Sequence, residues 1–144
     1  MIPAWVGGRW HKVAKLEVDR RGLRHKAVTV FVTDGGHVLL LQRALGKYHS
    51  PGQWANTCCT QPQGHEAPDA CAQRWLQPEL GIAGLVVVPV GLGEYHAEVG
   101  QGLVEDDLVD VFPAPACFRP QRFTPGLHIY LTRNPARIFG AGPN

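Results

Sequence analysis

Several features are missing from this 144-residue sequence, and each absence excludes a class of protein. The net charge is only +2 with the histidines neutral, which is too weak to predict nucleic acid as a main partner. No apolar run approaches the roughly 20 residues of a membrane span. The first residues, Met1 to Trp5, lack the basic and apolar regions of a signal peptide. The sequence therefore predicts a soluble, cytoplasmic protein without a nucleic-acid or membrane partner.

The four cysteines lack the spacing that would give them a shared structural role. Cys58 and Cys59 are adjacent, whereas Cys71 and Cys117 are scattered. This pattern matches neither the Cys-x-x-Cys pairs of structural zinc sites nor a disulfide framework. We expect Cys71 and Cys117 to be small buried apolar residues. Cys59 lies in a loop that follows a basic run, and for it we expect a reactive role.

Glycine and proline are plentiful (17 and 12), which predicts many short elements instead of a helical bundle. The length predicts one domain, spanning residues 1–144. We predict a short strand or cover at 1–16, strands at 26–33, 37–42, 85–90, 92–97 and 103–112, a hairpin turn at 34–36, a helix at 68–77 and helical spacing at 124–139. Strands and helices do not strictly alternate, so the fold class is a mixed α/β domain with helices packed on a sheet.

Two carboxylates mark the predicted strand 103–112. Glu105 and Asp107 are two residues apart, so their side chains point to one face of that strand. Two carboxylates on one face repel each other unless a cation or a proton lies between them, which favours a divalent metal site. A solvated acidic edge is the equal alternative, because Asp106 and Asp110 are acidic as well.

Cationic and imidazole side chains surround the long loop at 44–64, and loops of that length are usually functional. Lys15, Arg43 and Lys47 suit an anionic group such as a diphosphate, although isolated lysines and arginines are most often solvated surface charges. His25 precedes the first hairpin strand. A lone histidine of this kind is more often a surface or capping residue than a metal ligand.

Two segments resemble a known family. Glu66 followed by the run from Arg74 to Ile82 resembles the Nudix box, in which a helix carries glutamates that hold magnesium on a diphosphate. The run from Ser50 to Cys59 is similar to type I isopentenyl-diphosphate isomerase. That resemblance extends from about Pro3 to Asp110 and resumes at 122–125. It implies a Nudix-like mixed β-sheet flanked by helices, and the interconversion of isopentenyl and dimethylallyl diphosphate.

The resemblance also implies roles for individual residues. Proton transfer is implied for Cys59 and Asp107, with Tyr95 near the proton path. The implied metal ligands are His25, Gln61, Glu79, Glu105 and Asp107, and the implied diphosphate contacts are Lys15, Arg43 and Lys47. The implied cofactors are Mg²⁺ and, at the histidine and carboxylate site, Mn²⁺ or Zn²⁺. The implied partner is a small prenyl diphosphate.

The chain departs from the family pattern where metal and substrate are bound. Gln61 stands where the family has a metal-binding histidine. A second family histidine falls near Val18 or Asp19, and Asp107 stands where the family has a glutamate. Family residues that bind diphosphate, metal or the cation are replaced by Trp75, Pro78 and Gly126, and the connection at 113–121 is shorter. Two alternatives remain: an impaired homologue that binds prenyl diphosphate or a partner, and a Nudix-type diphosphate hydrolase, which requires the displaced glutamates.

Overall fold

Nine strands and two helices make up the described part of a computed structural model, which covers residues 1–34, 36–82, 84–115 and 128–132. The side chains of Asp34, Glu79 and residues 128–132 lie outside this description. The strands are β1 Ile2–Val6, β2 Arg9–Val13, β3 Arg24–Asp34, β4 His37–Gln42, β5 Trp54–Asn56, β6 Cys58–Thr60, β7 Gly91–Gly100, β8 Leu103–Pro115 and β9 His128–Thr132. The helices are α1 Lys15–Arg21 and α2 Pro68–Leu80.

Strand β3 connects the parts of the mixed sheet. Its sequence is rich in β-branched residues, which favour extended backbone. Along one edge it pairs in parallel with β8 over ten residues, from Arg24 opposite Asp106 to Thr33 opposite Pro115. It also pairs antiparallel with β1, β6 and β4 in turn. Residues far apart in the sequence are therefore brought together on β3.

The two faces of β3 pack against different helices. Val28, Val30 and Val32 are fully or almost fully buried in the larger apolar core. This core also contains Cys58 of β6, Phe112 and Ala114 of β8, and Cys71, Ala72, Leu76 and Leu80 of α2. Side chains alternate along a strand, so the other face carries His25, Ala27 and Thr29. The smaller core of Ile2, Ala4 and Val18 places α1 on that second face.

Helix α2 confirms the predicted helix and its buried stripe but ends three residues later than predicted. Pro68 occupies its first turn, where a missing amide hydrogen has no cost in hydrogen bonds. Pro78 lies inside the helix near its end, and the helix continues to Leu80. Gly81 then adopts a left-handed φ of 68°, and its amide donates to Gln77 O at 2.8 Å. This glycine cap, not Pro78, ends the helix.

The predicted buried strand at 85–90 is wrong. The described residues of this segment form no strand, and Val86, Val88 and Val90 are 78%, 63% and 68% exposed. Only Val87 is buried in the core. A continuous apolar run does not by itself make a strand, and Pro89 has no amide hydrogen for a sheet ladder.

The predicted helix at 124–139 is also wrong where the structure describes it. Residues His128–Thr132 form β9, which pairs antiparallel with β4 from Val38 opposite Thr132 to Gln42 opposite His128. The available edge of β4 overrides the helical spacing of Leu127, Tyr130 and Leu131. The rest of this prediction, like Cys117 and Gly126, falls outside the described residues.

The remaining predicted elements are confirmed, apart from one omission. The strands at 26–33, 37–42, 92–97 and 103–112 correspond to β3, β4, β7 and β8. The predicted hairpin turn connects β3 to β4, since Asp34 pairs with His37. Within the predicted strand or cover at 1–16, residues 2–13 form the hairpin of β1 and β2, but the sequence did not reveal α1, which begins at Lys15. Within the described residues, neither helix has the length and hydropathy that a bilayer span requires.

A buried threonine joins the loop that carries the cysteines to the β3–β4 hairpin. Thr57 is fully buried, its Oγ1 donates to Leu39 O at 2.6 Å, and it accepts from the Val32 amide at 2.9 Å. We expect Thr57→Val to lower the free energy of unfolding by about 2–4 kcal/mol, because two buried backbone groups lose their partners. Urea denaturation measures this. Thr33→Val is the control on a half-buried strand position, and an equal loss there would contradict the prediction.

An ion pair joins Arg74 of α2 to Glu66 in the segment before the helix. Arg74 Nε and Nη2 donate to the two oxygens of Glu66 at 2.7 and 2.8 Å, and the Gln63 amide donates to Glu66 Oε2. The bond from Arg74 is the main reason that the pKa of Glu66 falls from 4.5 to about 2, against the opposing effect of burial. A depressed carboxyl pKa adds stability above its ordinary value and loses it as the pH falls towards the folded value.

We therefore expect Glu66→Gln to destabilise the protein by about 1 kcal/mol at pH 7, because Arg74 is partly exposed to solvent. The difference from the wild type should shrink between pH 4.5 and pH 2 as the wild-type carboxylate takes up its proton. Urea denaturation at pH 7 and pH 3 measures both values. The exposed Glu98→Gln is the matched control, and a difference for Glu66→Gln that is constant with pH would refute this account.

Candidate active site

Four of the predicted site residues share the face of the sheet that lies opposite α2. Cys59 pairs with Thr29 across β6 and β3, and Asp107 pairs with His25 across β8 and β3. Tyr95 of β7 pairs with Asp107 on its other side. Directly opposed residues point to the same face, so the thiol, the imidazole, the carboxylate and the phenol all do so. Strand β3 thus lies between the cysteine strand and the carboxylate strand.

The side chains of the acidic pair on β8 have the predicted common orientation, and most of their surface is shielded from solvent. The side chain of Asp107 is 4% exposed and that of Glu105 is 16% exposed, so they do not form a solvated acidic edge. Asp106, between them, points the other way and accepts a hydrogen bond from Arg24 Nε at 3.1 Å. Two buried carboxylates on one face require a nearby cation.

His25 is fully buried, which rules out a surface role, and it contacts Asp107. Its Nδ1 lies 3.0 Å from Leu23 O, and because a carbonyl oxygen only accepts, Nδ1 carries a proton. Its Nε2 lies 2.7 Å from Asp107 Oδ1. This close contact is not a hydrogen bond, and Asp107 Oδ1 is buried without a donor. A buried oxygen without a donor is an available ligand for a cation or a proton.

Lys15, which the resemblance predicts to contact a diphosphate, lies among acidic and imidazole side chains. Its Nζ donates to Asp19 Oδ1 at 2.7 Å and to Glu105 Oε1 at 3.4 Å, and it lies 3.1 Å from His25 Nε2. Asp19 is fully buried, so this ammonium provides the charge compensation that a buried carboxylate needs. The Lys15 ammonium therefore lies between Asp19, His25 and Glu105.

Asp19, His49 and Glu105 have the arrangement of a metal site. One ligand atom of each lies within 4.8 Å of the other two, and among the described residues no other group of three or more such side chains does so. His49 Nε2 is 3.5 Å from Glu105 Oε1, and Tyr48 OH donates to Asp19 Oδ2 at 2.7 Å. Two carboxylates and an imidazole suit Mn²⁺ or Mg²⁺. These donors, with the unpaired oxygen of Asp107, fit the divalent metal that the resemblance implies.

His49 is the functional candidate that the sequence did not reveal. It is 7% exposed although it lies in the loop after β4, and its Nε2 faces Glu105 Oε1. Burial lowers the pKa of His49, while the negative charge of Glu105 opposes that shift. One histidine in a long loop carries no sequence signal of its own. Its burial and its carboxylate neighbours, both tertiary features, identify it.

Of the other predicted binding residues, Arg43 contacts His49. Arg43 Nη2 donates to His49 O at 3.2 Å and lies 3.4 Å from His49 Nε2. Lys47 is exposed on the same loop, and Gln61 is half-buried directly after β6. Glu79 lies in α2, but its side chain falls outside the described part of the structure.

Cys59 is an exposed thiol whose surroundings hold it protonated. Desolvation by the neighbouring protein atoms is the main cause that raises its pKa to about 12, although the side chain keeps solvent contact, and Asp107 and Glu105 add to the shift. Desolvation, followed by the charges of Glu105 and Asp107, also raises the pKa of Tyr95. Cys58 and Cys71 are buried, as predicted for Cys71. The Cys59 thiol and the Tyr95 hydroxyl therefore both carry a proton that they can donate at neutral pH.

We expect iodoacetamide to modify Cys59 slowly at pH 7, with a rate that rises about tenfold per pH unit to pH 10.5 without levelling off, because only the thiolate reacts. Asp107→Asn should raise the rate at pH 9, since removal of the carboxylate lowers the pKa of Cys59. Peptide mass spectrometry locates and quantifies the modification. The exposed Glu98→Gln should leave the rate unchanged, and a plateau near pH 9 in the wild type would show an ordinary thiol.

Comparison with solved structures identifies the fold. The MutT protein from Methanosarcina mazei Go1 superposes with a TM-score of 0.57 at 19% identity, covering 76% of this chain and 75% of that chain. The E. coli dihydroneopterin triphosphate pyrophosphohydrolase gives a TM-score of 0.59 at 18% identity, covering 77% and 82%. These identities are low, so the similarity concerns the fold alone.

Sequence comparison identifies the family. The NUDIX domain model matches residues 23–129. The isopentenyl-diphosphate Delta-isomerase of Cereibacter sphaeroides (strain ATCC 17025) is 48% identical over 168 aligned positions, covering 97% of this chain and 95% of that protein. The protein of the same name from Dinoroseobacter shibae is 45% identical, covering 97% and 96%. The alignments exceed 144 positions, so these relatives carry additional internal residues. The chain therefore belongs to the isopentenyl-diphosphate Delta-isomerase family of NUDIX-domain proteins.

Proposed function

We propose that this isomerase interconverts isopentenyl and dimethylallyl diphosphate by proton transfer between the substrate and two groups, Cys59 and Asp107. The observation that supports this assignment is their placement: both face the same side of the sheet, on strands that flank β3. A substrate on that face lies between a thiol that holds its proton and a buried carboxylate. The isomerase activity itself follows from the family to which the chain belongs.

The raised pKa of Cys59 suits the first proton transfer. An unactivated alkene is a poor base, so the acid must be protonated and close to the terminal carbon. In the forward direction the S–H bond of Cys59 breaks as its proton joins that carbon, and positive charge develops on the neighbouring tertiary carbon. A C–H bond next to that carbon then breaks, its electron pair forms the new double bond, and an oxygen of Asp107 takes the proton. Proton exchange with solvent returns both groups to their starting states.

Cationic groups around the cluster are suited to bind the diphosphate and to hold the acidic side chains together. Arg43 and Lys47 lie on the loop after β4, and their positive charges attract the negatively charged diphosphate. The carboxylates of Asp19 and Glu105, with a buried imidazole, would hold Mg²⁺ or Mn²⁺. When bound, that metal supplies positive charge close to the reacting groups. The cytoplasmic location of the enzyme stays a prediction.

The structure offers little to a diphosphate hydrolase. Two positions of the Nudix box that usually carry glutamate hold Trp75 and Pro78, and both lie within α2. Trp75 is partly buried against the main core, so an apolar ring packs where a box glutamate would project. The impaired-homologue alternative rests instead on Asp107, whose side chain is one methylene shorter than glutamate. A displacement of about 1 Å at a catalytic group costs roughly 100-fold in rate.

Adjacent cysteines allow a closely matched test of the proposal. We expect Cys59→Ala to reduce the formation of dimethylallyl diphosphate from isopentenyl diphosphate by about 10²–10⁴-fold, because the general acid is lost. Cys58→Ala alters the same strand but the opposite face, in the main core, and should retain activity within a few-fold. Both rates are measured with purified protein, Mg²⁺ and Mn²⁺. Equal rates for the wild type and Cys59→Ala would exclude Cys59 as the acid.

Asp107 is tested by two further variants. Asp107→Asn should abolish isomerisation while binding of the substrate persists, because the amide cannot accept the proton. Asp107→Glu should raise the rate if the shorter side chain limits it. Calorimetric binding of isopentenyl diphosphate without turnover in the wild type would support the non-catalytic alternative.

A further inference from the structure

We propose that this protein has a second anion-binding site, in which Lys12 and Lys26 hold the phosphate group of a small organic phosphate. The site is a cavity of about 260 Å³ bordered by the β1–β2 hairpin, by β3 and by the loop between β6 and α2. It is separate from the isomerase site, so the proposal does not depend on the catalytic roles of Cys59 and Asp107.

The pairing of the strands places the two lysines on the face of the sheet away from the isomerase site. Lys26 follows His25 on β3, and neighbouring residues of a strand point to opposite faces. Because His25 faces the isomerase site, Lys26 points to the face that packs with α2. On the hairpin, Ala4 pairs with His25, whereas its neighbour Pro3 pairs with Lys12. Lys12 therefore shares the face of Lys26.

The charges of the two lysines are not neutralised by ion pairs. Among the residues that the structure describes, neither ammonium has a carboxylate at ion-pair distance. Lys26 is half-buried, and its Nζ lies 5.3 Å from the centroid of the Trp10 ring. Its charge lowers the pKa of Asp110 in β8, although desolvation, the larger effect, raises that pKa. A partly desolvated ammonium without a close anion is stabilised by an anionic ligand.

Glu66 is the only acidic residue among the described residues that border the cavity, and its charge is already compensated. Arg74 donates to both of its oxygens, at 2.7 and 2.8 Å, and the Gln63 amide donates to one of them. The lysines therefore leave the cavity with an excess of positive charge. Such an excess favours a ligand that carries negative charge.

Apolar groups beside the lysines favour an organic phosphate over a free phosphate ion. Pro3 and Pro62 are buried and the Trp10 ring is 38% exposed where they border the cavity. Gly64, with a left-handed φ of 61°, has no side chain, and a Cβ there would lie 3.5 Å from Lys12 Nζ. The ammonium of Lys12 is therefore open to a ligand on that side. A phosphate can contact the ammonium groups while an apolar or aromatic body contacts the walls.

Titration with AMP tests the proposal, because AMP joins a phosphate to an aromatic body. The four tryptophans give four indole N–H signals in a ¹H–¹⁵N spectrum, and Trp10→Phe identifies the signal of Trp10. We expect AMP to shift this signal saturably, with a Kd of about 1 mM or lower. The signal of Trp54 in β5, at the opposite end of the strand order from β2, should stay unchanged. Adenosine should cause no saturable shift, and inorganic phosphate should bind several-fold more weakly than AMP.

Variants of single charges show whether the two lysines hold the phosphate. Lys12→Met and Lys26→Met should each weaken AMP binding by about tenfold, because each loses one ammonium–phosphate contact. Arg20→Gln removes one positive charge from an exposed position of α1 and should keep the wild-type affinity within about twofold, since distant exposed charges are screened. Lys12 is exposed as well, so both Lys12→Met and Arg20→Gln should keep the wild-type melting temperature.

Three results would overturn the proposal. The first is the absence of a saturable shift of the Trp10 signal at about 20 mM AMP. The second is an equal loss of affinity in Arg20→Gln and Lys12→Met, which would indicate attraction by the net charge alone. The third is an equal affinity for inorganic phosphate and AMP, which would exclude an organic phosphate as the preferred ligand. The measurement concerns binding at Trp10, so a protein without isomerase activity would refute the proposed function and leave this site intact.

Discussion

Compensation of buried charge is the constraint on which this site depends. Asp19 and His25 are fully buried and Asp107 almost so, on a face of the sheet that α1 covers. Removal of one member of such a group leaves an uncompensated charge, at a cost of about 3–5 kcal/mol. Lys15 contacts Asp19 and His25 and also reaches Glu105, so one ammonium joins helix α1 to the two strands β3 and β8. The arrangement serves a metal because it already requires a cation.

Strand β3 makes this concentration of charge compatible with a stable fold. One of its faces, with Val28, Val30 and Val32, packs in the main core with α2. Because side chains alternate, the other face can carry polar groups without disturbing that core. The same division applies to β6, where Cys58 lies in the core and Cys59 on the site face. Adjacent residues of identical chemistry thus have different roles.

A large part of the fold was predictable because it depends on local pattern. The β-branched run at 26–33, the hairpin turn after it, and the apolar stripe of α2 with its terminal Gly81 each correspond to an observed feature. The failures were segments in which tertiary partners outweigh local preference. The apolar run 85–90 is largely exposed, and the residues 128–132 pair with β4 as a strand. The short helix α1 has too few residues to show a periodic pattern.

The site divides in the same way. The isomerase family could be predicted from motifs read along the chain, and those motifs with the spacing within one strand made Cys59, Glu105 and Asp107 candidate site residues. Only the tertiary structure showed that Lys15 lies among carboxylates and that His49 joins the cluster. The physical reason is that a buried charge is defined by its neighbours in space, and those neighbours come from α1, the loop after β4 and β8, which only the pairing of β3 brings together.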